Sequence, residues 1–287
     1  MVSRCPGWEA LDVLEAAPDG PVAFCADLSP ASVLAAYRAG VYPFPASDEY
    51  VRALNEVVFA DQVQEGRIRL VGEDTGEEAA DPYAVSWWSP DPRPVLPVTA
   101  AHLSRSLARR LRNRLPWSTS MDRRFEQVVR ECRAGRDPLW LTEELIASLV
   151  RLHDLGLAHS VEVWEDGELV GGVFGLRVGS VFSMDSMFFH RPGASKVAVA
   201  DLAARFAEAG GVLLDAQRDS PHVRDLGGIL IPREQYLRHL RRTTRDSLPM
   251  PTATLPARRL TPSTGSPDGG ATPSSSAAGR NRRSRVG

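Results

Sequence analysis

Two polar side chains close a short apolar stretch of this chain. The segment "GGVLLDAQ" (210–217) has the composition of a short buried strand, and Asp215 and Gln217 leave its end two residues apart. Alternation along a strand places side chains two apart on the same face. A carboxylate there can hold an ammonium group, and an amide can orient a bound polar group. The pair therefore predicts either a polar functional site or the polar end of a buried strand.

The cysteine and histidine inventory predicts neither a metal site nor a covalent nucleophile. The three cysteines are widely spaced, with no CxxC and no neighbouring histidine pair: Cys5, Cys25 and Cys132. This pattern excludes a disulfide scaffold and fits a reducing cytoplasm. No run of 18 or more apolar residues occurs, and acidic residues interrupt the N-terminal stretch where a signal peptide would be apolar. We therefore expect a cytoplasmic protein with no membrane contact.

The net charge of −2 means that a nucleic-acid partner would need a local basic patch. The segment "LSRSLARRLRNRL" (103–115) is helical in period and contains no acidic residue. Residues at i, i+4 and i+7 form one stripe of a helix. Arg105, Arg109 and Arg112 form such a stripe, and Arg110 lies beside it. We predict that these four arginines contact phosphates, and the alternative is a plain solvated face.

A lone lysine, Lys196, stands in "RPGASK" (191–196), since the other 33 of the 34 basic residues are arginines. The segment carries one glycine, too few for a pyrophosphate loop at the start of the helix that follows. A compact ammonium in the first turn of that helix is disfavoured by the helix dipole unless an anion offsets it. Lys196 therefore faces a phosphate or a carboxylate, or is a tolerated surface residue.

Helices and strands alternate over most of the chain. "DLSPASVLAAYRAG" (27–40) predicts a helix with Asp27 or Ser29 as its cap, Pro30 at its first position and Gly40 past its end. Three antiparallel strands follow from "AHSVEVWEDGELVGGVFGLRVGSVFSMDSMFF" (158–189), with turns at Asp166-Gly167 and Gly179-Ser180. Other helices are predicted over about 103–115, 122–134, 142–156 and 194–209, and from Pro232.

This order predicts an α+β fold around a mixed, mostly antiparallel sheet. The layout resembles the acyltransferase fold of the N-acetyltransferases. We predict a small N-terminal domain over 1–91, a catalytic domain over 92–246 and a disordered tail over 247–287, where little can be buried. Residues 46–81 hold ten acidic residues and are predicted to be an exposed insertion that carries a hairpin.

Eight short motifs occur in one order along the chain. They are "WWSPDPR" (87–93), "HLSRSL" (102–107), "HSVEVW" (159–164), "ELVGGVFG" (168–175), "SMF" (186–188), "ASK" (194–196), "DAQ" (215–217), and "LGG" with "IPR" (226–233). Together they resemble the leucyl/phenylalanyl-tRNA–protein transferases, and the resemblance spans about 20–245 without the insertion. It implies an enzyme that moves Leu or Phe from charged tRNA to the N-terminal Arg or Lys of a protein and so marks it for degradation.

The resemblance also implies roles for individual residues. Asp215 and Gln217 would be catalytic, the first holding the ammonium or cationic side chain of the acceptor and the second orienting the amine or the ester oxygen. Because the donor is an activated ester, neither a cofactor nor a metal is needed, and positioning can supply about 7–11 kcal/mol. The basic stripe would bind the acceptor stem. The aminoacyl and adenosine moieties would contact Phe44, Trp140, Val173, Phe182, Asp185, Ser186 and Met187.

Two other functions stay open, and a departure from the family pattern bears on the second of them. Met184-Asp185-Ser186 stands where the family typically has Gly-Glu-Ser, so the carboxylate is one methylene shorter. One alternative is an N-acetyltransferase that uses acetyl-CoA. The other is a relative that binds tRNA or basic N-termini without transferring an amino acid.

Overall fold

A computed structural model describes residues 7–71, 81–242 and 248–261, whose strands form two mixed sheets. The smaller sheet has the order β2-β4-β1-β3, and the larger has the order β11-β5-β10-β9-β8-β7-β6-β12. The strands are β1 (Pro21–Phe24), β2 (Tyr42–Pro45), β3 (Arg69–Leu70), β4 (Val85–Trp88), β5 (Arg93–Pro97), β6 (Ser118–Met121), β7 (Ala158–Glu165), β8 (Glu168–Val178), β9 (Val181–Phe189), β10 (Leu213–Asp215), β11 (Ile229–Ile231) and β12 (Leu255–Pro256).

Helices pack against these sheets, and their bounds follow the predicted caps. Ser29 accepts a hydrogen bond from the N–H of Ser32, and Gly40 ends its helix in the left-handed conformation at a φ of 91°. The described residues form α1 (Pro30–Ala39), α2 (Glu49–Gln64), α3 (Arg105–Asn113), α4 (Phe125–Arg133), α5 (Glu143–Asp154), α6 (Ala194–Glu208), α7 (Pro221–Arg224) and α8 (Arg233–Arg241). The α+β class with mixed sheets is confirmed. No helix of these residues is long and apolar enough to cross a membrane.

One apolar core joins the two sheets. It brings Trp8 and Tyr37 from the N-terminal part into a single cluster with Phe125 and Leu149 from the larger part. The strands of the smaller sheet all precede residue 89, and those of the larger sheet all follow residue 92. A domain division at residue 91 remains a prediction, with the two parts tightly packed on each other.

The acidic insertion forms a helix where the sequence predicted a hairpin. Asp48 caps α2 by accepting a hydrogen bond from the N–H of Val51, and no glycine or proline interrupts the following 16 residues. The predicted exposure holds for α2, which buries no residue fully and contacts the smaller sheet through the rings of Phe59 and Phe24, whereas Ile68 and Val71 of the same insertion are buried. A good cap and uninterrupted helix formers outweigh the weak strand pattern. Residues 72–80 lie outside the described part.

The predicted disordered tail begins too early. Residues 248–261 are folded, since β12 pairs with β6 and Ala257 is fully buried. Arg205 of α6 is buried and donates to the carbonyls of Pro251 and Ala253, at 2.5 and 2.9 Å. The composition of this segment cannot reveal an open strand edge and a buried guanidinium elsewhere in the chain. Residue 247 and residues 262–287 lie outside the described residues.

A β-bulge interrupts the regular pairing of β8 with β9, the two central strands of the larger sheet. Phe174 of β8 pairs with Ser186 of β9, and Gly175 pairs with Met184, so Asp185 has no partner across the ladder. A Cβ on Gly175 would lie 1.8 Å from the carbonyl oxygen of Ser183. Bulges bend a strand and re-aim its side chains, often beside functional sites. Glycine at 175 therefore permits the close approach that places Asp185.

We expect Gly175→Ala to lower the free energy of unfolding by about 3 kcal/mol or more, because the new methyl group overlaps the β9 backbone. Urea unfolding followed by circular dichroism measures the loss. Gly20→Ala is the matched control, since its Cβ would meet Ala17 at an ordinary 3.4 Å. A loss below about 1 kcal/mol for Gly175→Ala would show that the bulge adapts.

Candidate active site

Asp215 lies at the end of β10 with no exposed surface, and five hydrogen bonds occupy its carboxylate. Arg93 donates to both oxygens, from Nε to Oδ1 at 2.9 Å and from Nη2 to Oδ2 at 2.7 Å. The hydroxyls of Ser183 and Tyr236 each donate to Oδ2 at 2.9 Å, and the N–H of Gln217 donates to Oδ1 at 2.9 Å. The prediction that Asp215 directly contacts an incoming ammonium is therefore wrong, because neither of its oxygens is accessible to a ligand.

The charge of Asp215 is matched by a guanidinium held equally deep. Burial by itself lowers the pKa of Arg93, but the Asp215 charge, the hydrogen bond to Asp215 and the nearby Tyr236 and Tyr42 together raise it. The guanidinium also lies 4.9 Å from the ring centroid of Tyr42 and 4.4 Å from that of Tyr236. Burial, followed by the Asp215 charge, raises the pKa of Tyr236, so its hydroxyl stays a neutral donor.

Gln217 leaves the strand through a tight turn. Its φ is 59°, in the left-handed region, and β10 ends at Asp215, so strand alternation does not govern its direction. Its side-chain Nε2 donates to the hydroxyl of Ser183 at 3.1 Å and to Oδ1 of Asp185 at 2.7 Å. The prediction that Asp215 and Gln217 lie on the same face of a strand is therefore wrong. Asp215 holds the backbone of Gln217, and the amide points to a second carboxylate.

That second carboxylate, Asp185, is the bulged residue of β9. Its Oδ1 accepts from the hydroxyl of Tyr37 at 2.8 Å as well as from Gln217. Burial raises the pKa of Asp185 to about 7, with a smaller contribution from the nearby Asp215 charge. Among the described residues, both hydrogen bonds to this side chain fall on Oδ1. Asp185 can therefore exchange a proton near neutral pH through Oδ2.

Aromatic rings stand beside this polar cluster. The rings of Phe44 and Trp140 are nearly parallel, with an interplanar angle of 10° and centroids 6.4 Å apart. A cavity of about 370 Å³ opens next to Phe44 and is also lined by Trp88, Gln217 and Arg218. Flat aromatic faces next to polar groups suit a ligand with a planar base.

The four remaining residues expected at the aminoacyl pocket separate by depth. Val173 and Phe182 lie in the core, with 1% and 0% of their surfaces exposed. Met187 pairs with Val173 across the sheet and is half-buried, and Ser186 accepts a hydrogen bond from Nη2 of Arg136 at 3.3 Å. Their contact with an aminoacyl group remains a prediction.

The basic helix α3 turns its arginines away from the core. Leu107, Ala108 and Leu111 are buried, whereas the side chains on the other face are exposed. The exposed arginines are Arg105, Arg109, Arg110 and Arg112. Arg258 of the C-terminal segment lines the same cleft as Arg112, which extends the basic surface.

The lone lysine faces a carboxylate. Nζ of Lys196 donates to Oδ2 of Asp225 at 2.8 Å, and this bond lowers the pKa of Asp225. Of the two anions expected from the sequence, the carboxylate is in place at the surface of the protein, and a contact of Lys196 with phosphate remains a prediction.

Sequence reasoning missed four residues that complete the site: Tyr37, Arg93, Ser183 and Tyr236. Arg93 ends the "WWSPDPR" motif, so the signal was present without an assigned partner. Tyr37 and Tyr236 occupy ordinary apolar positions of α1 and α8, which carry no such signal. Within residues 7–71, 81–242 and 248–261, no group of three or more His, Cys, Asp or Glu side chains could hold a metal ion.

Comparison with known proteins defines the class as an aminoacyltransferase. The family model described as leucyl/phenylalanyl-tRNA protein transferase matches residues 95–241. Proteins with that name from Erwinia tasmaniensis and Chromohalobacter salexigens are 38% and 39% identical to this chain over 224 and 226 residues. The alignments cover 78% of this chain in both cases, and 82% and 75% of the relatives. The chain belongs to the leucyl/phenylalanyl-tRNA protein transferase family.

Among solved structures, a conserved protein of unknown function from Bacteroides thetaiotaomicron is similar at a TM-score of 0.37. It is 12% identical, and the match covers 82% of this chain and 93% of the other. This likeness is too low to assign a fold.

We expect Arg93→Met to lower the free energy of unfolding by about 3–5 kcal/mol, because it leaves the Asp215 charge buried without its partner. Urea unfolding measures the change. Arg224→Met is the matched control, since it breaks an exposed pair with Asp219 and should cause a much smaller loss than Arg93→Met. Equal losses in the two variants would contradict the role of the buried pair.

Proposed function

We propose that this protein transfers leucine or phenylalanine from charged tRNA to the N-terminal α-amine of proteins that begin with Arg or Lys. The product would be marked for degradation. Family membership supports the donor and the reaction type. The acceptor is supported by the carboxylate of Asp185, which lies partly exposed beside Gln217 and suits a cationic N-terminus.

The observation that carries this proposal is the placement of Asp185 between Tyr37 and Gln217 next to the aromatic rings. An α-amine has a pKa of about 7.7–8.0, so much of it is protonated at neutral pH. A base works best when its pKa lies near the working pH. Asp185, with a pKa of about 7, meets this condition.

The proposed reaction needs no covalent enzyme intermediate. The α-ammonium gives one proton to Asp185, and the free amine attacks the carbonyl carbon of the aminoacyl ester. A C–N bond forms, the ester C–O bond breaks with its electron pair on the ribose oxygen, and the second proton of the attacking amine ends on that oxygen. Gln217 orients the amine or the ester oxygen through its side-chain amide. Asp215 is a positioning residue, because it fixes the backbone of Gln217.

The tRNA would lie across the basic surface and the aromatic rings. Phe44 and Trp140 offer faces for the terminal adenine, since base stacking on an aromatic side chain contributes about 1–3 kcal/mol. The exposed arginines of α3 would contact the acceptor stem through its phosphates.

We also infer an acyltransferase-like fold for the larger part and a cytoplasmic location. Three antiparallel strands, β7 to β9, lead through α6 into β10, which is parallel to β9. This order supports the expected acyltransferase layout. Charged tRNA is a cytoplasmic substrate, which supports the inferred location.

A donor and acceptor matrix tests the proposed function. We expect labelled Leu and Phe to pass from their tRNAs to peptides that begin with Arg or Lys, with little transfer from Met-tRNA or to peptides that begin with Asp or Ala. Product formation is measured by mass spectrometry. Transfer to Asp-initiated peptides would overturn the proposed acceptor, and binding of tRNA without any transfer would indicate a non-catalytic relative.

The transfer rate should rise with pH through about 7. Asp185 is the proton acceptor only when it is ionised, so protonation below its pKa removes activity. Single-turnover rates with Phe-tRNA and an Arg-initiated peptide, measured from acid to neutral pH, give the profile. We expect Asp185→Asn to lower the rate by about 10²–10⁴-fold and to remove this inflection.

Asp154→Asn is the control for that profile, because Asp154 lies at the exposed end of α5 and should leave both the rate and the inflection unchanged. The inflection of the acceptor amine near its own pKa should persist in every variant. An Asp185→Asn enzyme with the native rate and profile would remove Asp185 from the mechanism.

A further inference from the structure

Arg218 is an exposed arginine at the mouth of the aromatic cavity. It follows Gln217 directly, and the turn at Gln217 sends the two side chains to different places. The amide of Gln217 points to Asp185, whereas Arg218 lines the cavity of about 370 Å³ with Tyr42 and Phe44. The guanidinium carbon of Arg218 lies 5.9 Å from the ring centroid of Phe44. A cation is therefore placed within reach of whatever stacks on that ring.

The acidic neighbours leave this cation available. The next residue, Asp219, is engaged by Arg224, which donates from Nε to Oδ1 at 2.9 Å and from Nη2 to Oδ2 at 2.7 Å. Asp19 also lines the cavity, but among the described residues neither carboxylate forms an ion pair with Arg218. Arg224 thus occupies the carboxylate that could otherwise neutralise Arg218.

The combination of a flat aromatic face and an adjacent guanidinium fits one chemical class. Nucleotides present a planar base for stacking and a phosphate for a charged donor. The planar fork of arginine matches phosphate geometry and also stacks on rings, which the ammonium of lysine does not. The size of the cavity falls within the range of small-ligand sites.

We infer that Arg218 binds the 5′ phosphate of the 3′-terminal nucleotide of the charged tRNA, while the base of that nucleotide stacks on Phe44. This inference rests on the proposed function and names a further binding residue for it. Arg224 is a positioning residue for this contact, because it keeps Asp219 away from Arg218.

The contact is tested with a stable amide analogue, 3′-phenylalanylamino-3′-deoxyadenosine, prepared with and without its 5′ phosphate. Calorimetry gives the ratio of the two dissociation constants for each protein. The native chain should bind the phosphorylated form about tenfold more tightly, because a hydrogen bond to a charged group is among the strong ones. Arg218→Gln should bring that ratio close to one and leave the affinity for the unphosphorylated form nearly unchanged.

Three further variants separate this role from a general charge effect. Arg224→Gln should reduce the ratio, because the released Asp219 pairs with Arg218, and the double variant Arg224→Gln with Asp219→Asn should restore it. Arg151→Gln removes one exposed positive charge from α5 and should keep the native ratio. Thermal unfolding of each variant checks that it is folded.

The outcomes distinguish this inference from the proposed function. A ratio that stays near tenfold in Arg218→Gln overturns the phosphate contact, even if the native chain transfers amino acids as proposed. A native chain that fails to transfer from any charged tRNA overturns the proposed function instead. With Phe-tRNA as the donor, Arg218→Gln should raise KM and leave kcat unchanged, since the contact is present equally before and during the reaction.

Discussion

The buried pair between Arg93 and Asp215 is the interaction on which the rest of the site depends. A carboxylate with no exposed surface is tolerated only when its charge and its lone pairs are all matched. Asp215 meets this requirement through one arginine, two hydroxyls and one backbone N–H. These donors come from β5, β9, α8 and the turn after β10, so four parts of the chain are fixed at one point.

Because Asp215 is fully engaged, the proposed proton transfer is assigned to the neighbouring carboxylate of Asp185. Asp215 sets the turn that aims Gln217 at Asp185, and the Ser183 hydroxyl donates to Asp215 and accepts from Gln217. Asp185 has no partner in the β8–β9 ladder, because Gly175 lets the backbones of the two strands approach closely at the bulge. One carboxylate is thus fully engaged by Arg93 and its other donors, while the other lies where burial raises its pKa into the range in which it can exchange a proton.

Two surfaces lie outside this shared framework. The helix α2 carries an exposed apolar stripe, with Tyr50 and Val57 exposed by 76% and 81%, and acidic residues flank it. Near the C-terminal end, the segment 248–261 covers the edge strand β6 of the larger sheet with β12 and places Arg258 beside α3. Neither surface adjoins the polar cluster around Asp215. The segment 248–261 joins the larger sheet through its edge strand β12, four strands beyond β9, and α2 contacts β1 of the smaller sheet.

The sequence by itself determined the α+β class, most helix and strand positions, and the family, because caps, turns and hydrophobic periods act over a few residues. It also singled out Asp215, Gln217 and Asp185. The tertiary structure alone decided their partners and their burial, since Arg93 meets Asp215 across 122 residues and Tyr37 meets Asp185 across 148. Contacts between residues so far apart in the sequence, and the burial that goes with them, arise from tertiary packing. The alternating pattern of a strand contains no signal for a bulge that changes the direction of one side chain. The same reason explains why composition predicted a disordered tail where an open strand edge orders residues 248–261.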